Sequence, residues 1–318
     1  MSVIDFLNKN SQTTAFSFEI LPPIKGNGFD KVRQTVDKLR EFDPKYINIT
    51  THHSETVYRE TGSGLLKKIN VRKRPGTVAI ASAIQHHYGI PAVPHVICKG
   101  FTKEETEYAL IDLQFLSVSD LLLLRGDAGK LEKDHIQPGQ CHEHTTGLIE
   151  QVNRYNNGVD VEGCTFDPPA VPFSFGVACY PEKHEEAPNM ESDINFLKQK
   201  VEMGAQYAVT QMFFDNKKYF DFVKRCREEG INVPIIPGVK PIVLLDQLSV
   251  LPKVFSIDIP DELECELRKC KNDDEAKAVG IEWGIAQCKE LIAGGVPSIH
   301  FYTLMATESV RQIAKTIY

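Results

Sequence analysis

Leu121-Leu122-Leu123-Leu124-Arg125-Gly126-Asp127 is the stretch on which the fold turns. Side chains alternate between the two faces of a strand, so four consecutive leucines cannot belong to a strand with one face in water. A short unbroken apolar run of this kind is a strand covered on both sides, as in parallel sheets flanked by helices. It ends on a guanidinium, a residue without a side chain and a carboxylate, which delivers Arg125 and Asp127 to one edge with backbone exposed at Gly126. Such a pair is either a turn-closing ion pair or part of a site. The other strand ends decide between the two.

Upstream, Ala15-Phe16-Ser17-Phe18-Glu19-Ile20 reads as a first strand, and Pro22-Pro23 keeps a helix from following it directly. A helix is expected over 30–42, a strand at Tyr46-Ile47-Asn48-Ile49-Thr50, a basic helical segment over 57–74 and a strand at Pro91-Ala92-Val93-Pro94-His95-Val96-Ile97. Residues 102–116 form a helix with Thr102 as N-cap and Glu104 and Glu105 in the first turn, where the helix dipole favours carboxylates.

Downstream, 128–170 is the longest irregular stretch, interrupted by a helix over 146–155. Long loops leaving the working edge of a scaffold commonly bind or cover ligands. Phe173-Ser174-Phe175-Gly176-Val177-Ala178-Cys179, Tyr207-Ala208-Val209-Thr210-Gln211-Met212, Val233-Pro234-Ile235-Ile236 and Ser298-Ile299-His300-Phe301-Tyr302 are the remaining strands. Helices over 192–202, 217–229, 244–251, 261–269, 274–293 and from 307 onward separate and follow them. Gly204, Gly230 and Gly294-Gly295 act as stops.

Eight strands, each followed by a crossover long enough for parallel pairing, predict an α/β fold of the (β/α)8 or TIM-barrel type, one domain over 1–318. The carboxyl ends of all eight strands then share one rim. Glu19, Thr50, His95, Arg125 with Asp127, Tyr180 with His184, and Gln211 all fall there. Barrel stability gives no reason for polar residues to collect at one rim, so a bound ligand is expected.

The net charge of −7, with acidic and basic residues interspersed, argues against a nucleic-acid or anionic-membrane partner and for a small molecule. No apolar stretch of about 20 residues is present for a membrane span. Eight scattered cysteines without a Cys-x-x-Cys pair suit a reducing cytoplasm. His135, His142 and His144 lack a carboxylate or thiolate partner at ligand spacing and read as exposed histidines rather than a metal site.

Phe16-Ser17-Phe18-Glu19 with Pro22-Pro23, Pro94-His95, Leu124-Arg125-Gly126-Asp127, Ala178-Cys179-Tyr180-Pro181-Glu182-x-His184, Thr210-Gln211-x-Phe213-Phe214-Asp215, Ile236-Pro237-Gly238 and His300-Phe301-Tyr302-Thr303 together resemble the methylenetetrahydrofolate reductase family. The likeness runs in order over nearly the whole chain, in the short form without a C-terminal regulatory domain. It implies a cytoplasmic oxidoreductase of one-carbon metabolism and methionine biosynthesis, usually a homo-oligomer. NADH or NADPH would reduce a non-covalent FAD at the rim, and the flavin would then reduce 5,10-methylenetetrahydrofolate to 5-methyltetrahydrofolate by ping-pong hydride transfer.

By the same resemblance Glu19 is the acid that opens the folate ring, and Asp127 is the carboxylate beside the flavin. Thr50, His95, Arg125, Gly126, Tyr180, His184, Asp193 and Lys200 match cofactor-binding positions, and Gln211, Phe213 and Gln247 match substrate contacts. The chain departs from the family pattern at Thr51, His52, His53, His144, Thr145, Gln199 and Ala306. Two other classes fit parts of the pattern. One is a folate-binding, methyl-transferring barrel without flavin, since fold alone does not set function; the other is a flavin subunit fed electrons by a partner.

Overall fold

The computed structural model describes residues 2–9, 13–52, 54–62, 64–126, 139–304 and 306–318. Its centre is a closed barrel of eight parallel strands. In chain order they are β1 (Ala15–Ile20), β2 (Tyr46–Ile49), β5 (Ala92–Ile97), β6 (Asp120–Leu124), β7 (Ser174–Cys179), β8 (Tyr207–Met212), β9 (Ile235–Val239) and β10 (Ser298–Tyr302), β3 and β4 being a separate pair described below. β1 closes the ring by pairing with both β2 and β10. The leucine run is β6, buried on both faces as its composition requires.

The helices that cover the barrel follow from local chemistry. α4 (Lys103–Phe115) opens with a full capping box, in which the Thr102 hydroxyl accepts from the Glu105 N–H while the Glu105 carboxylate accepts from the Thr102 N–H. α6 (Met190–Glu202) is capped by Asn189 and α7 (Asn216–Glu228) by Asp215. α10 (Asp273–Ala293) is capped by Asn272. β9 begins two residues later than expected and runs through Pro237 and Gly238.

One expectation is overturned. Residues 57–74 are not helical; they contribute to an antiparallel hairpin of β3 (Glu55–Glu60) and β4 (Leu66–Val71), followed by α3 (Thr77–Tyr88). Thr61 and Gly64 close the turn, the Thr61 N–H donating to the Leu65 carbonyl at 2.7 Å and the Gly64 N–H to the Thr61 carbonyl at 2.9 Å. Gly64 sits at φ +74°, a conformation that side-chain-bearing residues resist.

The amino-terminal helix α1 (Val3–Lys9) plugs the end of the barrel where the strands begin. Val3 and Leu7 pack on Tyr46, Val93, Leu122, Tyr207, Val209 and Ile236, an apolar floor contributed by five strands. The Val3 N–H donates to the Asp120 carboxylate at 3.0 Å and anchors the plug to β6. Burial nonetheless lifts the Asp120 carboxyl to a pKa of about 6. No helix among the described residues is long and apolar enough to cross a membrane.

Candidate active site

Residues paired across a parallel ladder point to the same face, and this places the inward side chains in levels. Ser17 on β1 pairs with Tyr46 on β2 and His300 on β10. Two residues nearer the rim, Glu19 pairs with Asn48 and Tyr302. Phe301 pairs with Val239 of β9, so the next residue along each strand brings Lys240 level with Tyr302. One level of the barrel mouth therefore carries Asn48, Glu19, Tyr302 and Lys240 on four adjacent strand ends.

The lower of these levels is tied by hydrogen bonds. The Ser17 hydroxyl meets His300 Nδ1 at 3.1 Å, and the Tyr46 ring lies parallel to the His300 ring at 6.4 Å. Above it, Asn48 Nδ2 donates to His95 Nε2 at 3.3 Å, which leaves Asn48 Oδ1 without a partner among the described residues. Tyr302 lies across Gly238, where any Cβ would come within 2.5 Å of its ring, and its hydroxyl donates to the Thr210 carbonyl at 2.6 Å. Both histidines are buried and are driven down to a pKa of about 3, so they are neutral imidazoles at physiological pH.

Glu19 is only 5% exposed. Removal from water penalises its anion and raises the carboxyl to a pKa of about 8, against an opposing pull from the Lys240 ammonium. It is thus a protonated acid at neutral pH, the condition for a proton donor at the mouth of an apolar barrel. Its backbone carbonyl is held by the Thr303 hydroxyl.

Beside the mouth, a cavity of about 360 Å³ opens between the ends of β6 and β7 and the helices α5 (Thr145–Asn156) and α6. Arg125, Tyr180, His184, Asp193 and Lys200 all line it. The turn after β7 is fixed by Asp193, whose carboxylate accepts from the His184 N–H at 2.9 Å, and by the edge-on contact of Tyr180 with His184 at 4.7 Å. Lys200 reaches in beneath and donates to the Ala178 carbonyl at 3.0 Å. Arg125 donates to the Glu143 carbonyl at 3.3 Å and pairs with Glu186. Burial raises the Asp193 carboxyl and lowers both Lys200 and His184. Two cations stand in this cleft with two carboxylates, Asp193 and Glu186, the latter already on Arg125, and with the rings of Tyr180 and His184, a lining that suits a ligand carrying both anionic and hydroxyl groups.

A second cavity, of about 620 Å³, runs from His95, Thr51 and His52 outward between α3 and α4. Thr77, which the reading of the sequence passes over, lines it and donates to the Ile49 carbonyl at 3.1 Å.

The remaining expected site residues lie as follows. Gly126 adopts φ +83° against Ile97, a turn that only glycine makes without strain. The Thr50 hydroxyl meets His52 Nε2 at 3.2 Å. Gln211 stands half-buried at the end of β8 and accepts the Met212 N–H at 2.9 Å. Gln247 accepts the N–H groups of Val243 and Leu244 at 2.8 and 3.2 Å, which commits its carbonyl to the start of α8 (Gln247–Phe255) and leaves its amide NH₂ as the group to offer a ligand.

Phe213 requires correction. It is fully buried, stacked on Tyr219 at 5.3 Å in the layer between barrel and helices, and does not face the mouth. Asp127, His53 and His135 lie outside the described residues. Of the other two histidines of the long loop, His144 is exposed and His142 is half-buried against Gln151 at 2.7 Å. Among the described residues no three His, Cys, Asp or Glu side chains are grouped to hold a metal.

A closed barrel of eight parallel strands, with a buried carboxyl in its mouth and charged side chains in a cleft beside it, defines an α/β barrel of the TIM type. The chain belongs to the methylenetetrahydrofolate reductase family, whose model matches residues 5–318. It is 30% identical over 307 residues to a probable methylenetetrahydrofolate reductase (NADPH) of Caenorhabditis elegans, covering 95% of this chain and 42% of that protein. It is also 30% identical over 315 residues to methylenetetrahydrofolate reductase (NADH) 1 of Arabidopsis thaliana, covering 97% and 49%.

The chain thus spans about half the length of these relatives. A 5,10-methylenetetrahydrofolate reductase of Salmonella typhimurium is 28% identical over 302 residues, with 95% of this chain and 90% of that protein covered. In fold the chain is similar to a Clostridium thermocellum protein described as uncharacterised and binding two copies of 5-methyl-5,6,7,8-tetrahydrofolic acid. The TM-score is 0.57 at 16% identity, covering 98% of this chain and 97% of that one.

Proposed function

We propose that this chain reduces 5,10-methylenetetrahydrofolate to 5-methyltetrahydrofolate with NADH or NADPH, using a non-covalently bound FAD at the barrel rim. The observation that carries the reading is Glu19, a carboxyl buried in the mouth and held protonated at neutral pH. When bound, FAD supplies a two-electron carrier that the nicotinamide and the folate address in turn.

The residues present fit such a group. Lys200, and Arg125 in exchange for its pairing with Glu186, would provide positive charge for its diphosphate, Asp193 would accept from ribose hydroxyls, and Tyr180 and His184 would offer ring surface. His95, neutral and fixed by Asn48, faces the mouth as a hydrogen-bonding wall without adding charge.

Glu19 then acts on the folate. Its proton passes to a nitrogen of the five-membered ring, the adjoining C–N bond breaks, and the resulting iminium carbon accepts hydride. Gln211, at the rim, offers an amide that can both donate to and accept from the pterin edge.

The test is an anaerobic absorbance spectrum of the purified protein, with NADH or NADPH added first and methylenetetrahydrofolate second. Bleaching followed by recolouring is expected. A protein that takes up no added FAD overturns the flavin and favours the methyl-transferring barrel. Bleaching by neither nucleotide favours a partner-fed subunit.

A further inference from the structure

Lys240 is a buried lysine, 5% exposed, that follows directly on β9 and faces into the mouth at the level of Glu19. An ammonium has three donors to satisfy. Among the described residues its one hydrogen bond is to the Leu304 carbonyl, at a long 3.4 Å. A buried charge so poorly served is unfavourable unless another charge comes to it.

The neighbouring elements leave few choices for that charge. From β10, the Tyr302 hydroxyl is committed to the Thr210 carbonyl, and His300, one level deeper, is neutral. From β2, Asn48 is uncharged and tied to His95, itself a neutral ring on β5. From the turn after β10, the Thr303 hydroxyl is spent on the Glu19 carbonyl. Among the described residues, Glu19 is the one group facing Lys240 that gains a negative charge. Each is the charge acting on the other, yet the two side chains are not joined as an ion pair in the structure.

We propose that Lys240 is the positioning residue for Glu19, its ammonium receiving the carboxylate that remains once Glu19 has passed its proton to the folate. The proposal rests on the reading of Glu19 as the acid. Burial lowers the Lys240 pKa and the Glu19 charge raises it, so the ammonium is favoured once Glu19 is an anion; in the step itself only the Glu19 proton moves. The ammonium makes Glu19 a usable acid by stabilising its conjugate base in a place where water cannot.

The experiment is a double-mutant cycle read by thermal melting of the full-length holoprotein without folate, from pH 6 to pH 9.5, with Glu19→Gln, Lys240→Met and the pair. Lys240→Gln, which keeps a donor, replaces the methionine variant if that one does not fold. With Glu19 present, loss of Lys240 is expected to leave the melting temperature unchanged or raised at pH 6 and to lower it above pH 8. In the Glu19→Gln background the loss above pH 8 is absent: removing Lys240 there leaves the melting temperature unchanged or raised at every pH, by a margin that shrinks toward high pH because burial lowers the pKa of Lys240 itself.

The alkaline limb of the folate half-reaction moves upward by about one pH unit or more in Lys240→Met, as removal of an opposite charge requires, and Lys240→Arg restores it. The same Lys240 effect at every pH, with or without the Glu19→Gln change, overturns the proposal. A Glu19→Gln protein that still reduces folate removes the acid role and this proposal with it. A flat cycle beside an inert Glu19→Gln protein removes the Lys240 role alone.

Discussion

The two ends of the barrel interior are built on opposite principles. Where the strands begin, Tyr46, Val93, Leu122, Tyr207, Val209 and Ile236 meet the plug residues Val3 and Leu7 in a dry, close-packed floor. At the rim end β1, β2, β5, β10 and the exit of β9 present Glu19, Asn48, His95, His300, Tyr302 and Lys240, all buried or nearly so. The floor gains stability with each apolar group it hides. The mouth gives stability up, because a carboxyl, an ammonium and two imidazoles are held where water cannot solvate them. A fold that tolerates this at one end must be secured at the other.

The largest test of that contrast is Glu19→Gln. Loss of the proton donor is expected to slow reduction of methylenetetrahydrofolate by at least about 100-fold, while the nicotinamide still bleaches the flavin; stopped-flow traces of the two half-reactions separate them, and equal loss of both sinks the acid assignment. Stability moves the other way. With Glu19 raised from 4.5 in the unfolded chain to about 8 in the folded one, the folded state holds a proton that the unfolded state releases between those values. The wild-type protein therefore loses stability as pH rises through that window, at roughly 1.4 kcal/mol per unit. Glutamine does not titrate, so the variant should outlast wild type by a margin that grows toward pH 8.

Leu122→Ala probes the floor. Leu122 is 4% exposed at the centre of that layer, and truncation there is expected to destabilise by about 2–5 kcal/mol, read as a lower urea midpoint. Activity per folded molecule should stay within a small factor of wild type. A large loss of activity at unchanged stability would mean that floor and mouth are mechanically one unit.

The floor and the strands were open to inspection in the sequence for the same reason: buried parallel strands are short apolar runs with hard polar or proline stops, and β6 is four leucines ended by Arg125. The rim residues were open because each sits at a strand's exit. The hairpin was not, because Leu65, Leu66 and Ile69 stand three and four residues apart among lysines and arginines, a spacing that also satisfies a helical face. The turn signal Thr61-Gly62-Ser63-Gly64 was the decisive clue. Lys240 escaped for a different reason. It lies one residue past the end of β9, and its level with Glu19 depends on the register of three strands, which no local pattern contains. Phe213 points away from the mouth because β8 shifts register against β9 between Val209 and Met212, which breaks the alternation that a regular strand would continue.

The lateral cleft should behave as a third regime, in which charge serves a ligand rather than the fold. Lys200→Met removes a half-buried ammonium whose one hydrogen bond among the described residues is to the Ala178 carbonyl. We expect FAD to dissociate more readily, by about tenfold in Kd or 1.4 kcal/mol, measured by flavin fluorescence on dilution. The flavin-free protein should be no less stable than wild type, since desolvation already disfavours the charge. A loss of stability without weaker flavin binding would reassign Lys200 to the scaffold.

The smallest effect, and the sharpest on how the mouth is supported, belongs to Ser17→Ala. Ser17 is fully buried on the level between floor and mouth, and its hydroxyl serves His300 Nδ1 at 3.1 Å and the Ile299 carbonyl at 3.3 Å. Removing it leaves a ring nitrogen without its partner in a place closed to water, at a penalty of about 1–2 kcal/mol in urea unfolding. If Ser17 only satisfies His300, the folate half-reaction keeps its rate and its pH limb. If the limb moves, the His300 level is coupled upward to Glu19 through Tyr302, whose ring meets His300 edge-on at 5.4 Å. The boundary between scaffold and site would then lie one level deeper, directly on the apolar floor.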